Sequence, residues 1–185
     1  MAFWSDTVHS EPRRNFKFLL TVGTDNPIPV WVVKGVNLPE INVEEATHKF
    51  LNHTFYFPGT VSYNEITFTI VDSIDDNISQ NILASFVNSG YNTPENVNAA
   101  GDSLMTKAAS VNSLGSVRID HLGSGEDGET GKISFLLTNA WIKKITFGQS
   151  LAYDSEDLSE ISMTLRYDFF EFQNSAGAPI AGFGG

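Results

Sequence analysis

Five apolar side chains, Ile161, Met163, Leu165, Tyr167 and Phe169, alternate with Ser162, Thr164, Arg166 and Asp168 near the C-terminal end of the chain. A period of two places each set on its own side of an extended backbone, so the segment reads as a half-buried strand. The pattern recurs at Asn15–Val22, with Phe16, Phe18, Leu20 and Val22 on one face, and at Lys132–Thr138, with Ile133, Phe135 and Leu137. It recurs again at Val61–Val71, where Ile66, Phe68 and Ile70 oppose Glu65, Thr67 and Thr69. Gly115–Leu122 and Asn139–Phe147 add two more strands, joined through Gly123–Gly128 as a hairpin turn and Lys132–Thr138. Ile28–Val36 is apolar on both faces, which suits a strand covered on both sides or facing a partner chain. A chain so patterned is constrained to be mainly β.

One segment departs from that period. Ile78, Ile82, Leu83, Phe86 and Val87 form a helical stripe, with Asp75 or Asp76 placed to cap it and Gly90 to end it. Phe50–Pro58 has no clean period and ends on Pro58-Gly59, a turn signal. Residues 91–113 form a polar excursion with a possible short helix through Met105–Ala109. About seven strands and one helix predict two packed antiparallel sheets, a β-barrel or sandwich, with one flanking α-helix. No linker divides the chain, so residues 1–173 read as one domain, loose up to about Pro12, and 174–185 as a flexible Gly-rich tail.

Composition narrows the functional classes. The 185 residues contain no Cys, which removes disulfides, thiolate metal sites and cysteine nucleophiles. No run of about 18 apolar residues suggests a membrane span, and the N-terminus lacks the pattern of a signal peptide. Eleven Lys and Arg against 22 Asp and Glu give a net charge of −11, which disfavours phosphate backbones and anionic lipid as partners. Residues 61–130 hold ten acids and two bases, most of that excess.

Candidate chemistry is sparse. His48 and His53 are spaced without a third ligand, so ordinary polar positions outweigh a metal site. Glu126-Asp127-Gly128-Glu129 lacks the order of a calcium loop and reads as a solvated hairpin tip. Asp75-Asp76 suits helix capping better than acid–base catalysis. Asn52-His53-Thr54 and Asn77-Ile78-Ser79 match the glycosylation pattern by chance in a chain without a secretory signal. No phosphate-cradling glycine motif or nucleophile arrangement occurs, so the expectation is no catalysis, no metal and no cofactor. The polar face of Ser162, Thr164, Arg166 and Asp168 fits the solvent side of a strand, a channel wall or an inter-subunit seam equally well.

The run Leu137-Thr138-Asn139-Ala140-Trp141-Ile142-Lys143-Lys144-Ile145-Thr146-Phe147-Gly148 is followed by Leu151-Ala152-Tyr153-Asp154-Ser155-Glu156-Asp157 and then Ile161–Asp168. In that order it resembles the tail tube proteins of contractile-tailed, T4-like bacteriophages. Glu45–Gly59 and the stretch from Lys107-Ala108-Ala109 to Leu114-Gly115-Ser116-Val117-Arg118-Ile119 are similar to the same family, so the resemblance spans about residues 40–170. The Gly-rich end lies outside it.

The resemblance implies a virion structural protein, six copies of which close into a ring, with rings stacked into a tube inside a contractile sheath. Implied partners are the chain itself, the sheath, the tape measure, baseplate and tail terminator proteins, and DNA that passes through the lumen without specific binding. No membrane binding is implied; the protein would reside in the virion tail after assembly in the host cytoplasm. The segments 40–60 and 91–113 would then be arms to neighbouring subunits, with Glu44, Glu45, His48, Lys49, Asn52, His53, Tyr56, Asn96, Asp102 and Lys107 as contact candidates. Glu65, Thr67 and Thr69 would line an acidic lumen, although the same face could meet sheath or solvent. Two other readings stand beside this one: a tube, ring, terminator or baseplate subunit of another contractile injection machine, and an unrelated β-barrel binding module or enzyme.

Overall fold

A computed structural model of the chain describes residues 13–23, 28–74, 77–91, 104–124, 128–148, 151–154 and 156–174. The ordered elements are β1 (Phe18–Val22), a 3₁₀ turn (Val30–Val32), β2 (Val33–Val36), β3 (Ile41–Phe50), β4 (His53–Tyr63), β5 (Ile66–Val71), α1 (Ile78–Asn88), α2 (Lys107–Leu114), β6 (Val117–His121), β7 (Ile133–Thr138), β8 (Trp141–Phe147), β9 (Glu160–Arg166) and β10 (Phe169–Gln173). All strand pairs are antiparallel. One sheet runs β1-β6-β7-β10 and a second β2-β5-β9-β8, while β3 and β4 pair only with each other.

One apolar cluster joins the two four-stranded sheets. Leu20, Val117, Ile119 and Leu137 come from the first sheet, and Ile66, Phe68, Ile70, Met163 and Leu165 from the second. Ile78 and Ile82 of α1 and Leu114 of α2 close one side. Fully burying a side chain of this size is worth about 1.5–3 kcal/mol. The expected two-sheet sandwich is therefore present.

Several boundaries differ from the sequence reading. Ile28–Val36 is not one strand: the 3₁₀ turn buries Val32 and turns Trp31 to solvent, and only Val33–Val36 pairs. The stretch Val61–Val71 breaks at Asn64–Glu65, because β4 belongs to the projecting hairpin and β5 to the body. The alternation from Ile161 to Phe169 also breaks. β9 ends at Arg166, the chain turns at Tyr167-Asp168, and β10 enters the other sheet with reversed parity, Phe170 buried and Phe169 exposed.

Among the described residues two helices flank the sheets, not one. Lys107–Leu114 carries no apolar stripe; small residues let α2 lie against α1 and β8 with only Ser110 and Leu114 buried. α1 starts after Asn77 in the left-handed region, whose side chain makes no cap bond, while Ser79 Oγ donates to Asp72 at 2.7 Å. Asp75 and Asp76 lie outside the described residues, as do residues 1–12, Glu126-Asp127 and the tail from 175. Gly90 follows α1 at φ +102°, and a Cβ there would sit 2.7 Å from the Leu104 carbonyl oxygen, so that close approach requires glycine.

Thr106 caps α2 by accepting from the Ala109 amide at 3.2 Å. Thr106→Ala is expected to cost about 1 kcal/mol of unfolding free energy, checked by urea titration. Deleting 95–110, which the arm reading expected to leave a folded monomer, removes this cap and the buried Ser110 and should lower the midpoint further.

Candidate functional site

The strongest departure from a self-contained domain is the β3–β4 hairpin. Its strands hold 10 and 11 residues, every residue of β3 is exposed, and among the described residues neither strand pairs with the body. At about 3.3 Å per residue it reaches roughly 30 Å. The turn falls at Leu51-Asn52, with Leu51 at φ +55°, and not at Pro58-Gly59. Pro58-Gly59 instead sits inside β4, where Gly59 and Thr60 together oppose Glu44 in a bulge. A Cβ on Gly59 would come within 2.9 Å of the Glu44 carbonyl oxygen, so glycine permits the bulge.

The register sorts the hairpin into two faces. Phe50 opposes His53, His48 opposes Phe55 and Ala46 opposes Phe57 on one; Lys49 opposes Thr54 and Thr47 opposes Tyr56 on the other. The His53 and Phe55 rings meet edge to face with centroids 4.7 Å apart. Glu44, Glu45, His48, Lys49, Asn52, His53 and Tyr56 are thus all placed on the hairpin and all exposed. Period gave no warning of this element, because alternation arises only where one face is buried.

A second surface is the polar face of sheet β2-β5-β9-β8. Thr67 and Thr69 lie on it, with Glu65 just before β5. Thr67 Oγ1 is 3.1 Å from Thr164 Oγ1, and Thr69 opposes Ser162, which opposes Thr146, giving a row of hydroxyls. Glu65 pairs with Lys143 and Glu160 with Lys34. A bulge between Ile142 and Lys144 turns both Lys143 and Lys144 to this face, where Arg166 is also exposed. Four cations therefore meet two carboxylates. The cations enter this face from β2, β8 and β9, while Glu156 and Asp157 lie beside it on the segment before β9.

Lys107 is engaged within the chain. From the first turn of α2 its Nζ donates to both Asp168 oxygens, at 2.7 and 2.6 Å, and Asn139 Nδ2 donates to Asp168 at 2.8 Å. The Lys107 and Asn139 bonds hold the Asp168 carboxyl below its ordinary value of 3.8. This triad ties α2 to the β7–β8 turn and the β9–β10 corner. Asn96 and Asp102 lie outside the described residues. Beside the triad, burial raises the Tyr167 hydroxyl above the usual phenol range. On the first sheet Arg118 Nε donates to buried Asp120 at 2.7 Å and Arg118 Nη2 to Ser134 Oγ at 2.9 Å, a structural cluster invisible to pattern reading. Among the described residues no group of three His, Asp or Glu is placed to hold a metal ion, and no helix is long and apolar enough to cross a membrane.

No family model matches the chain, and neither does any curated protein. Solved structures do. A chain in the cryo-EM structure of the anti-feeding prophage tube-terminating cap is 18% identical, with TM-score 0.60, over 94% of this chain and 99% of that one. A chain of the extracellular contractile injection system PVC sheath/tube terminator is 17% identical, with TM-score 0.57, over 90% and 99%. A chain of the PVC sheath–tube complex in the extended state is 18% identical, with TM-score 0.54, over 88% and 92%. These identities establish a common fold. It is the fold of structural proteins of contractile injection systems, in keeping with the resemblance to tail tube proteins.

Asp168 is depressed in the folded state, so its contribution to stability is present above the unfolded carboxylate pKa and is lost as pH falls through the folded value. Lys107→Met should therefore unfold more readily than the unsubstituted protein near neutral pH. The gap in unfolding midpoint should close on acidification below the ordinary carboxylate range, measured by thermal scans across pH.

Proposed function

We propose that this chain is a structural subunit of the inner tube of a contractile tail or injection particle, assembling with copies of itself. The observation that carries the reading is the unsupported β3–β4 hairpin on this fold. An isolated two-stranded hairpin is marginal in water, yet this one exposes Phe50, Leu51, Phe55, Tyr56 and Phe57. Burying those faces against further copies removes the cost. Among the described residues the four sheet edges β1, β10, β2 and β8 also lack a partner strand, and closure into a ring abolishes edges.

In the finer form of the proposal, six copies close each ring and rings stack within a sheath, with tape measure protein and then DNA in the lumen. Baseplate and terminator proteins then bound the tube. The polar face of β2-β5-β9-β8 lines the channel; its two carboxylates, Glu65 and Glu160, are each paired with a lysine, and Lys144 and Arg166 are exposed beside its hydroxyl rows. The subunit has no catalytic role, binds no metal or cofactor, and resides in the particle after assembly in the host cytoplasm.

A second reading, a subunit that ends the tube, is favoured by one comparison: the TM-score to the cap chain, 0.60, exceeds the 0.54 to the sheath–tube chain. Electron microscopy of the purified protein separates the two, since a tube subunit gives stacked rings and a terminator single rings. Replacing residues 46–57 by a two-residue Asn-Gly turn should leave the far-ultraviolet circular dichroism of the body intact and abolish assembly. A monodisperse monomer from the unmodified chain at high concentration would overturn the proposal.

A further inference from the structure

The two ends of the polar face of β2-β5-β9-β8 differ in charge. Where β8 begins and β9 finishes, Lys143, Lys144 and Arg166 stand on the face with Glu65. At the other end Glu160 is paired with Lys34, and Glu156 and Asp157 flank the face. Glu160 and Arg166 bound β9, and the extended chain between them spans about 20 Å. That is about two Debye lengths at 0.1 M salt, so each end acts largely by itself. The net charge of −11 is not the charge of the first end.

Pairing leaves two cations over. Ile66 opposes Leu165, which sets Glu65 next to Arg166 in the register, yet Lys143 of β8 holds the Glu65 carboxylate. Asp168, just beyond β9, has both oxygens on Lys107. Lys144 and Arg166 are exposed and form no ion pair among the described residues. Lys144 opposes Thr164 and Trp141 opposes Arg166, so the two cations are diagonal neighbours across β8 and β9, about 7–8 Å apart at Cβ. The hydroxyls of Thr164 and Thr67 continue the Lys144 row, 3.1 Å from each other.

Cations and hydroxyls without an apolar centre suit one partner. A protein seat needs large side chains that leave water on association. Among the described residues Trp141 is the one large apolar side chain on this end of the face, and it is already half-buried. A phosphate backbone needs only charge and hydroxyl donors, and takes them without regard to base sequence.

We propose that Lys144 and Arg166 form a phosphate-contact band on the channel wall, which holds double-stranded DNA weakly and without sequence preference. The inference rests on the reading of this face as a channel wall. It adds that the wall retains the duplex through these two side chains, while Glu65 and Asp168 keep Lys143 and Lys107 out of the contact. Repetition around a ring multiplies a contact that is weak in one copy.

The test is co-sedimentation of a short fluorescent duplex with assembled particles across a salt series. Affinity at about 50 mM salt should fall at least tenfold by about 200 mM, equally for two unrelated sequences. Lys144→Gln and Arg166→Gln should each flatten the plot of log affinity against log salt by about one unit, and Arg166→Lys should keep the unmodified slope. Lys17→Gln, which removes an exposed cation just before β1, should leave the slope unchanged. Electron microscopy of the same samples reports assembly independently. Assembled particles that bind no duplex, that lose as much through Lys17→Gln, or that hold polyglutamate as tightly as DNA would overturn the band and leave the tube reading in place. An unmodified chain that never assembles would overturn both.

Discussion

Burial of the inner face of β5 is the constraint on which the rest of the molecule depends. Ile66, Phe68 and Ile70 are almost wholly excluded from solvent, and β5 pairs on both sides, with β2 and β9. The same strand continues backwards through Asn64–Glu65 into β4. A rigid central strand therefore anchors a projecting hairpin that has no support of its own. The body is a closed problem in packing, solved within the chain; the hairpin is an open one.

The two parts also differ in how they treat polar groups. In the body, charges are held against partners: Asp168 by Lys107 and Asn139, Asp120 by Arg118, and Glu65 by Lys143. At the hairpin tip Lys49, His48 and His53 sit beside exposed Phe50, Leu51 and Phe55 with no acidic residue between 46 and 57. Such surfaces gain from association because apolar area leaves water and the opposed charges select the partner.

The legible part of the sequence was the part with one face buried. Alternation marks β5 and β9 because each has a buried side and a more open side, and the helical stripe from Ile78 marks α1. Where that asymmetry fails, so did the reading. β3 and β4 are exposed on both faces, so no period betrayed them, and Pro58-Gly59 suggested a turn where glycine instead permits a bulge. α2 has no apolar stripe, and β10 reverses parity at a corner that alternation alone ran straight through. The hairpin residues were singled out through family resemblance, and the structure gathers them on one element. The charge of the polar sheet face is not legible along one strand, because neighbouring strands bring lysines across the register to Glu65 and Glu160.

The central claim is that the β3–β4 hairpin is unsupported within one chain and completed by another. Amide hydrogen exchange across residues 41–63 tests it most directly, comparing dilute with assembled protein. The account expects exchange near the unprotected rate in the dilute state, slowed at least about a hundredfold on assembly, while β5 and β9 stay protected in both. Equal protection of the hairpin in the two states would contradict it.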